Sequence, residues 1–120
     1  MELTRSEREI MDVLWEAEQP LSRSDILERS QEKGWKDSSI HILLNGMLQK
    51  NAIREAGFVK RSKTYGRTFE PTMTREEYYV SVALSRKHAP SKVGLVDALL
   101  RIGKPTEEEL QQIKQLINNL

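Results

Sequence analysis

The stretch from Trp35 to Asn51 constrains the fold more than any other part of this 120-residue chain. Its large apolar side chains recur every three or four residues, which places them on one face of a helix. These residues are Ile40, Leu43, Leu44, Met47 and Leu48. An apolar face of this size is stable only when it is packed, so we expect it to point into the core of the domain.

The opposite face of this predicted helix is nearly free of carboxylates. Hydroxyl, amide, imidazole and methyl groups like those found there can contact base edges in the major groove of DNA. We therefore interpret the segment as a DNA recognition helix, although an ordinary amphipathic helix with a solvated polar face would show the same pattern. The residues predicted to meet bases or nearby phosphates are Lys36, Ser38, Ser39, His41, Ile42 and Asn45.

The distribution of charge supports this interpretation, whereas the formal net charge of +1 indicates no particular partner. Residues 1–32 hold four basic and nine acidic side chains, and residues 68–120 hold seven of each. The middle segment, residues 33–67, holds eight basic and two acidic side chains. A basic segment that includes the candidate recognition helix is typical of a nucleic-acid footprint.

Composition excludes several other classes of site. The chain has no cysteine, which excludes disulfides and thiolate metal sites. Its two histidines, His41 and His88, are isolated, so we expect no metal and no cofactor. No apolar run approaches the roughly 20 residues of a membrane span, and the N-terminus lacks the apolar region of a signal peptide. We expect a cytoplasmic protein.

Two further helices are predicted before the recognition helix. Thr4 followed by Glu7 fits a capping box and starts a helix over residues 5–17, and Pro20 lies beyond its end. Ser22 followed by Asp25 starts a second helix that extends to about Glu32. The third begins after Trp35, with Asp37 or Ser38 expected as its cap. Three short helices joined by tight turns predict a helix-turn-helix.

A β-hairpin is predicted after the third helix. Residues 52–59 and 64–70 are rich in β-branched and aromatic types, and the polar residues 60–63 lie between them. Hairpin tips are often charged for solubility alone, but a basic hairpin after three helices is the pattern of a winged helix. We expect residues 1–71 to form this DNA-binding domain, with phosphate contacts from Lys50, Arg54, Lys60, Arg61, Lys63 and Arg67.

The remaining residues, 72–120, predict three more helices, which start near Thr74, Ser91 and Thr106. About 45 residues cannot bury much core alone, so we expect a helical dimerisation domain. The alternative is that these helices fold back onto the winged helix in a monomer. The predicted dimer contacts are Tyr79, Val82, Val96, Leu99, Leu100, Leu110, Ile113, Ile117 and Leu120.

Three segments carry more specific sequence: LTRSEREIMDVLW from Leu3 to Trp15, a W-x-x-x-[ST]-I-x-x-x-L pattern at Trp35, Ser39, Ile40 and Leu44, and FEP from Phe69 to Pro71. Together they resemble the penicillinase-repressor family of BlaI/MecI type, over nearly the whole chain. The resemblance implies a homodimeric transcriptional repressor that binds palindromic operators upstream of resistance or stress genes. It also implies inactivation by proteolysis in the dimerisation region, downstream of a membrane-bound sensor of β-lactams.

The chain departs from the family pattern at several positions. Family members often carry proline in the first turn of the recognition helix and glycine after it, where this chain has Asp37 and Asn51. Ile42 replaces a threonine and Gly46 a longer side chain, so we expect a different operator sequence. The Asn–Phe pair at which the family is cleaved falls at Ala98–Leu99, so this candidate cleavage position lacks the family residues.

Two other classes of function remain as alternatives. Winged helices also serve as protein-docking modules that do not bind DNA, because a fold does not determine a function. An enzyme is the weaker alternative, since no nucleophile, base and orienting group share a motif and there is no glycine-rich phosphate loop. The sequence therefore favours a DNA-binding repressor without catalytic residues.

Overall fold

Six α-helices and one three-stranded sheet make up the part of the chain that the structure describes. The structure is a computed structural model, which describes residues 1–61 and 64–120, with only the backbone at 61, 64 and 65. The elements are α1 (Arg5–Ala17), β1 (Leu21–Ser22), α2 (Arg23–Arg29), a 3₁₀ turn (Asp37–Ser39), α3 (Ile40–Gln49), β2 (Ile53–Arg61), β3 (Thr64–Pro71), α4 (Arg75–Leu84), α5 (Lys92–Ile102) and α6 (Glu107–Asn118). None of the described helices is long and apolar enough to cross a bilayer.

Capping boxes begin four of these helices, and each satisfies two backbone N–H groups that a helix start leaves free. At α1 the Thr4 N–H donates to Glu7 Oε1 at 2.8 Å, and the Glu7 N–H donates to Thr4 Oγ1 at 3.2 Å. The same reciprocal bonds join Ser22 to Asp25, Thr74 to Glu77 and Thr106 to Glu109. These contacts confirm the helix starts predicted from the sequence.

Two predictions about helix termini are wrong: the end of the second helix and the cap at the start of the third. The second helix ends at Arg29 rather than near Glu32, because the Ser30 hydroxyl donates to the Ile26 carbonyl at 2.6 Å and closes the last turn. The third helix has no side-chain cap, and its first N–H, from Ile40, donates to the Asp37 carbonyl of the preceding 3₁₀ turn. The expected cap Asp37 instead forms an ion pair with Lys33 at 2.7 Å.

Asn51 ends the third helix, as the sequence predicted. Its φ of 59° lies in the left-handed region, which asparagine adopts more readily than most residues. The next N–H, from Ala52, then donates to the Met47 carbonyl at 2.9 Å. This bond satisfies a carbonyl at the end of α3 and turns the chain into β2.

The hydrophobic core packs α1, α2 and α3 against the sheet and the start of α4. The predicted apolar face of α3 is confirmed, because Ile40, Leu44 and Met47 are buried while Leu43 and Leu48 are partly buried. Among the residues whose side chains are described, the buried apolar ones are Leu3, Ile10, Met11, Leu14, Leu21, Ile26, Trp35, Ile40, Leu44, Met47, Ala52, Ile53, Phe69 and Tyr78. With this face buried, the opposite face of α3 is left to solvent.

The sheet has the strand order β1-β3-β2 and is antiparallel throughout. It confirms the predicted hairpin, although β2 continues to Arg61 instead of ending before Lys60. The two-residue strand β1 was not predicted, because Leu21 becomes a strand only by pairing with Phe69. The register shifts by one residue between Glu55 and Gly57, and the φ of 151° at Gly57 is one that side-chain-bearing residues rarely adopt.

The first half of α4 belongs to the winged helix. Tyr78 is buried, and its hydroxyl accepts a hydrogen bond from the Leu3 N–H at 3.0 Å. The indole N–H of Trp15 donates to the Met73 carbonyl at 2.9 Å. The chain accordingly divides into a unit over Met1–Val82 and a unit over Ala83–Leu120, whereas the sequence placed the boundary at Pro71.

The second unit, Ala83–Leu120, contains α5 and α6, and neither helix has a buried residue. Its apolar side chains are left largely exposed. On α5 the exposed fraction is 81% at Val93, 61% at Leu99 and 79% at Ile102, and on α6 it is 70% at Leu116. This unit therefore presents helical apolar faces that no residue of the same unit covers.

Candidate nucleic-acid interface

The solvent-facing side of α3 is built as the sequence predicted. Lys36, Ser38, His41 and Asn45 are exposed, and Ser39 is half-buried. Ile42 is 76% exposed, so its methyl groups are available to an apolar group such as the thymine methyl. The helix itself contains no acidic residue. The outer face of α3 therefore offers hydrogen-bonding and apolar groups without a carboxylate, and the exposed Asp37 of the preceding 3₁₀ turn is paired with Lys33.

A cleft of about 220 Å³ lies beside this surface, where the start of α2, the face of α3 and the strand β3 meet. None of the residues described at its walls is acidic. They are Ser22, Arg23, Ser24, His41, Leu44, Asn45, Gly66, Arg67 and Phe69. Two guanidinium groups and an amide in one cleft form a surface suited to a phosphate group of DNA.

Arg23 is the residue of this cleft that the sequence prediction missed. Its Nη1 lies 3.3 Å from His41 Nδ1 and also contacts Nε2 of the same ring, so the guanidinium sits beside the exposed face of α3. A signal was available, because Arg23 is the first residue of α2 and a cation there opposes the helix dipole. An exposed residue that weakens its own helix in this way is a candidate for binding.

The cations of the hairpin are partly engaged with carboxylates. Arg54 Nε lies 2.8 Å from Glu70 Oε1, and Arg67 Nη1 pairs with Glu55. Exposed ion pairs of this kind contribute about 0–1 kcal/mol, so these arginines can exchange a carboxylate for a phosphate at little cost. Lys60 is exposed, whereas Lys63 and the Arg61 side chain lie outside the described residues.

Lys50, which was predicted to contact phosphate, does not lie beside the cations of the hairpin. Its ammonium lies 2.6 Å from Glu7 Oε1 on α1 and 3.5 Å from the Glu2 carbonyl. Burial acts to raise the pKa of Glu7, but the hydrogen bonds from Lys50 and the Thr4 N–H together lower this pKa below its ordinary value. The structure therefore places Lys50 in a charge pair within the winged helix.

The predicted dimer contacts fall into two groups. Val82 packs against the core of the first unit, and Tyr79, on the same helix, is 49% exposed. The others lie on α5, α6 or just beyond α6: Val96, Leu99, Ile117 and Leu120 are exposed, and Leu100, Leu110 and Ile113 are half-buried. The candidate cleavage position is also on α5, with Ala98 half-buried and Leu99 exposed.

The sequence profile of the penicillinase repressor family matches residues 3–119. The chain belongs to the penicillinase repressor family. Family and fold together make it a winged-helix transcriptional repressor that binds DNA, and not an enzyme. The resemblance found in the sequence and the winged-helix fold class are thereby confirmed. No curated protein matches the chain in sequence.

Several solved structures resemble this member of the penicillinase repressor family. A MepR mutant from a multidrug-resistant S. aureus clinical isolate shares 15% identity at a TM-score of 0.51, over 98% of this chain and 75% of that one. A mutant of ZitR from Lactococcus lactis shares 16% identity at a TM-score of 0.49, over 99% of this chain and 73% of that one. AdcR from Streptococcus pyogenes, an adhesin competence repressor, shares 13% identity at a TM-score of 0.46, over 98% of this chain and 77% of that one.

Proposed function

We propose that this penicillinase repressor-family protein binds a palindromic operator as a homodimer and represses the genes downstream of it. The observation that carries the proposal is the exposed, carboxylate-free face of α3 beside the cleft of Arg23, His41 and Arg67. In this arrangement Asn45, His41 and Ile42 contact base edges. Ser38, Ser39 and Lys36 at the start of α3 contact bases or adjacent phosphates, and Arg54, Lys60 and Arg67 contact the backbone.

The second unit supports the proposed homodimer. The unit Ala83–Leu120 is shorter than roughly 40 residues, and chain segments below that length usually need disulfides, a metal or oligomerisation to fold. Its exposed side chains at Val93, Leu99, Ile102 and Leu116 are too apolar to be left in water as a group. A second copy of the same unit offers an identical apolar surface, and two-fold pairing is the commonest way to bury one.

A two-fold dimer predicts the form of the operator. Two copies of α3 would enter successive major grooves, whose centres are about 34–36 Å or 10–10.5 base pairs apart. The operator would then be a palindrome whose half-sites mirror the symmetry of the protein. We propose that it controls resistance or stress genes in the cytoplasm, with β-lactam-type regulation as the family resemblance implies.

The inducing step is proposed on the same basis. A protease, acting downstream of a membrane sensor, would inactivate the repressor by cutting the second unit. The candidate position Ala98–Leu99 lies in the middle of α5, so cleavage there requires local unfolding of this helix. Incubation with the sensor-activated protease, followed by mass spectrometry of the fragments, would show whether this bond or another is cut.

Selection from a random duplex library by the purified protein tests the operator proposal. We expect enrichment of a palindrome with half-site centres about one helical turn apart. Asn45→Ala should relax the preference at a single symmetric pair of positions by about 1–3 kcal/mol, because a bidentate amide contact to adenine is lost. Failure to enrich any sequence would contradict operator binding and favour a docking module, and a single unpaired half-site would contradict the dimer.

A further inference from the structure

Glu7 is a buried carboxylate in the first turn of α1, with only 4% of the residue exposed. Its Oε1 accepts hydrogen bonds from the Thr4 N–H at 2.8 Å and from Lys50 Nζ at 2.6 Å. Lys50 is the C-cap residue directly after α3, and Asn51 after it turns the chain in the left-handed region. The Glu7–Lys50 ion pair therefore joins the beginning of α1 to the end of α3.

Gly46 lies directly against this ion pair. It lies on α3 one turn before Lys50, and a Cβ built at Gly46 would come within 3.1 Å of Glu7 Oε2. That separation is tighter than nine in ten real Cβ contacts, so a side chain at Gly46 would require the Glu7 carboxylate to shift by a few tenths of an ångström. The absence of a side chain at this position lets α3 lie directly over the carboxylate.

Lys50 cannot leave Glu7 as easily as the exposed arginines of the hairpin leave their partners. The Glu7 side chain is 6% exposed, whereas the side chains of Arg67 and Glu55 are 46% and 45% exposed. A phosphate that captured Lys50 would leave a buried carboxylate without its cation, which is strongly unfavourable. We therefore expect the ion pair to persist when DNA is bound.

We propose that Glu7, Gly46 and Lys50 are positioning residues, which fix the orientation of α3 so that its outer face meets the base edges in register. On this view Lys50 supplies no phosphate contact. The inference rests on the proposed operator binding, because it concerns how the reading surface is held. It assigns to α1 a part in sequence selectivity although α1 itself touches no base.

The test compares two duplexes, the sequence enriched by selection and a scrambled duplex of the same composition. Fluorescence anisotropy titrations between 50 and 200 mM salt measure the affinity of four full-length proteins for each duplex. These are the wild type, Lys50→Met, Glu7→Gln and the double variant. Lys36→Met is the matched control, since Lys36 is an exposed lysine at the start of the recognition segment. Glutamine is accepted in capping boxes, so Glu7→Gln preserves the start of α1.

We expect Lys50→Met and Glu7→Gln each to weaken binding to the selected duplex about tenfold, the effect of one mismatched base pair. Binding to the scrambled duplex and the slope of affinity against salt should stay unchanged. The double variant should lose no more than either single variant, because both break one interaction. Lys36→Met should weaken binding to both duplexes and reduce the salt slope by about one.

The proposal would be overturned if Lys50→Met reduced the salt slope as much as Lys36→Met does while Glu7→Gln kept its selectivity. Lys50 would then be a phosphate contact. Wild-type selectivity in both single variants would also overturn the proposal. Should Lys50→Met not fold in a thermal melt, Gly46→Ala provides the second variant, with the same loss of selectivity expected and retained selectivity contradicting the proposal. If selection enriches no duplex, the proposed operator binding has failed, while the salt slope on the scrambled duplex still decides the role of Lys50.

Discussion

Arg23 is a candidate for DNA binding because its position weakens the helix that contains it. It begins α2, where a positive charge faces the positive end of the helix dipole, yet its guanidinium is held beside His41. We expect Arg23→Ala to weaken DNA binding and to reduce the slope of log affinity against log salt by about one, because one phosphate contact is lost. Anisotropy titrations at several salt concentrations measure both quantities.

Arg29 is the control for this prediction. It is an exposed arginine of the same helix, but it lines a surface hollow with Asp12, Val13 and Glu16 of α1 instead of the cleft. Arg29→Ala should leave the salt slope unchanged. Equal effects of the two substitutions would mean that Arg23 adds only general positive charge.

Glu7 makes the stability of the winged helix depend on pH on the acidic side. Its folded-state pKa is below the ordinary value of 4.5, so its charged form stabilises the fold fully above that pH. This contribution is lost as the pH falls through the lowered pKa. We expect the urea midpoint of unfolding at pH 7 to be higher for the wild type than for Glu7→Gln. The difference between the two midpoints should shrink below about pH 4.5. A difference that stays constant from pH 7 to pH 3 would contradict this role.

The individual residues on the outer face of α3 were predictable from the sequence, because their helical spacing alone places them opposite the apolar face. The environments of Lys50 and Arg23 were not. Lys50 meets Glu7 through the packing of α3 on α1, across 43 positions of sequence. Helical periodicity contains no information about which neighbouring element a side chain meets.

At the scale of elements, α4 is attached to the winged helix through Tyr78. The Tyr78 hydroxyl accepts a buried hydrogen bond from the Leu3 N–H, and its ring lies 6.0 Å from that of Trp15. Tyr78→Phe should lower the free energy of unfolding by about 1–3 kcal/mol, because it leaves the Leu3 N–H buried without an acceptor. Urea denaturation followed by tryptophan fluorescence measures this loss.

Tyr79 provides the matched substitution on the same helix. Its side chain is 49% exposed, and Tyr79→Phe should change the unfolding free energy by less than about 0.5 kcal/mol. A similar loss in both variants would show that the Leu3–Tyr78 hydrogen bond does not hold α4 to α1.

Element starts were predictable where the signal is local, whereas the end of α2, the strand β1 and the boundary between the two units were not. A capping box such as Thr74 with Glu77 consists of residues three apart, so the sequence contains the whole interaction. The strand β1, in contrast, exists only through the pairing of Leu21 with Phe69. The boundary after Val82 likewise depends on Tyr78 reaching back to Leu3, which no local pattern shows.

At the scale of the whole molecule, the apolar faces of α5 and α6 predict association. Ile117 is 57% exposed on α6, and a carboxylate there would be buried without a partner in a dimer. Ile117→Asp should therefore yield monomers in sedimentation equilibrium. Gln112→Asp, on an exposed polar position of the same helix, should leave the dimer intact. An unchanged mass for Ile117→Asp would contradict the assignment of Ile117 to the dimer contacts.

The number of chains on one operator tests the central claim most directly. Sedimentation of the protein with the selected duplex, and with a duplex that carries only one half-site, measures this number and the affinity of each complex. We predict two chains on the full duplex and a sharply weaker complex on the half-site, since joining the two reading surfaces adds the second contact at high effective concentration. A single chain on the full duplex, or equal affinity for the two duplexes, would contradict the account.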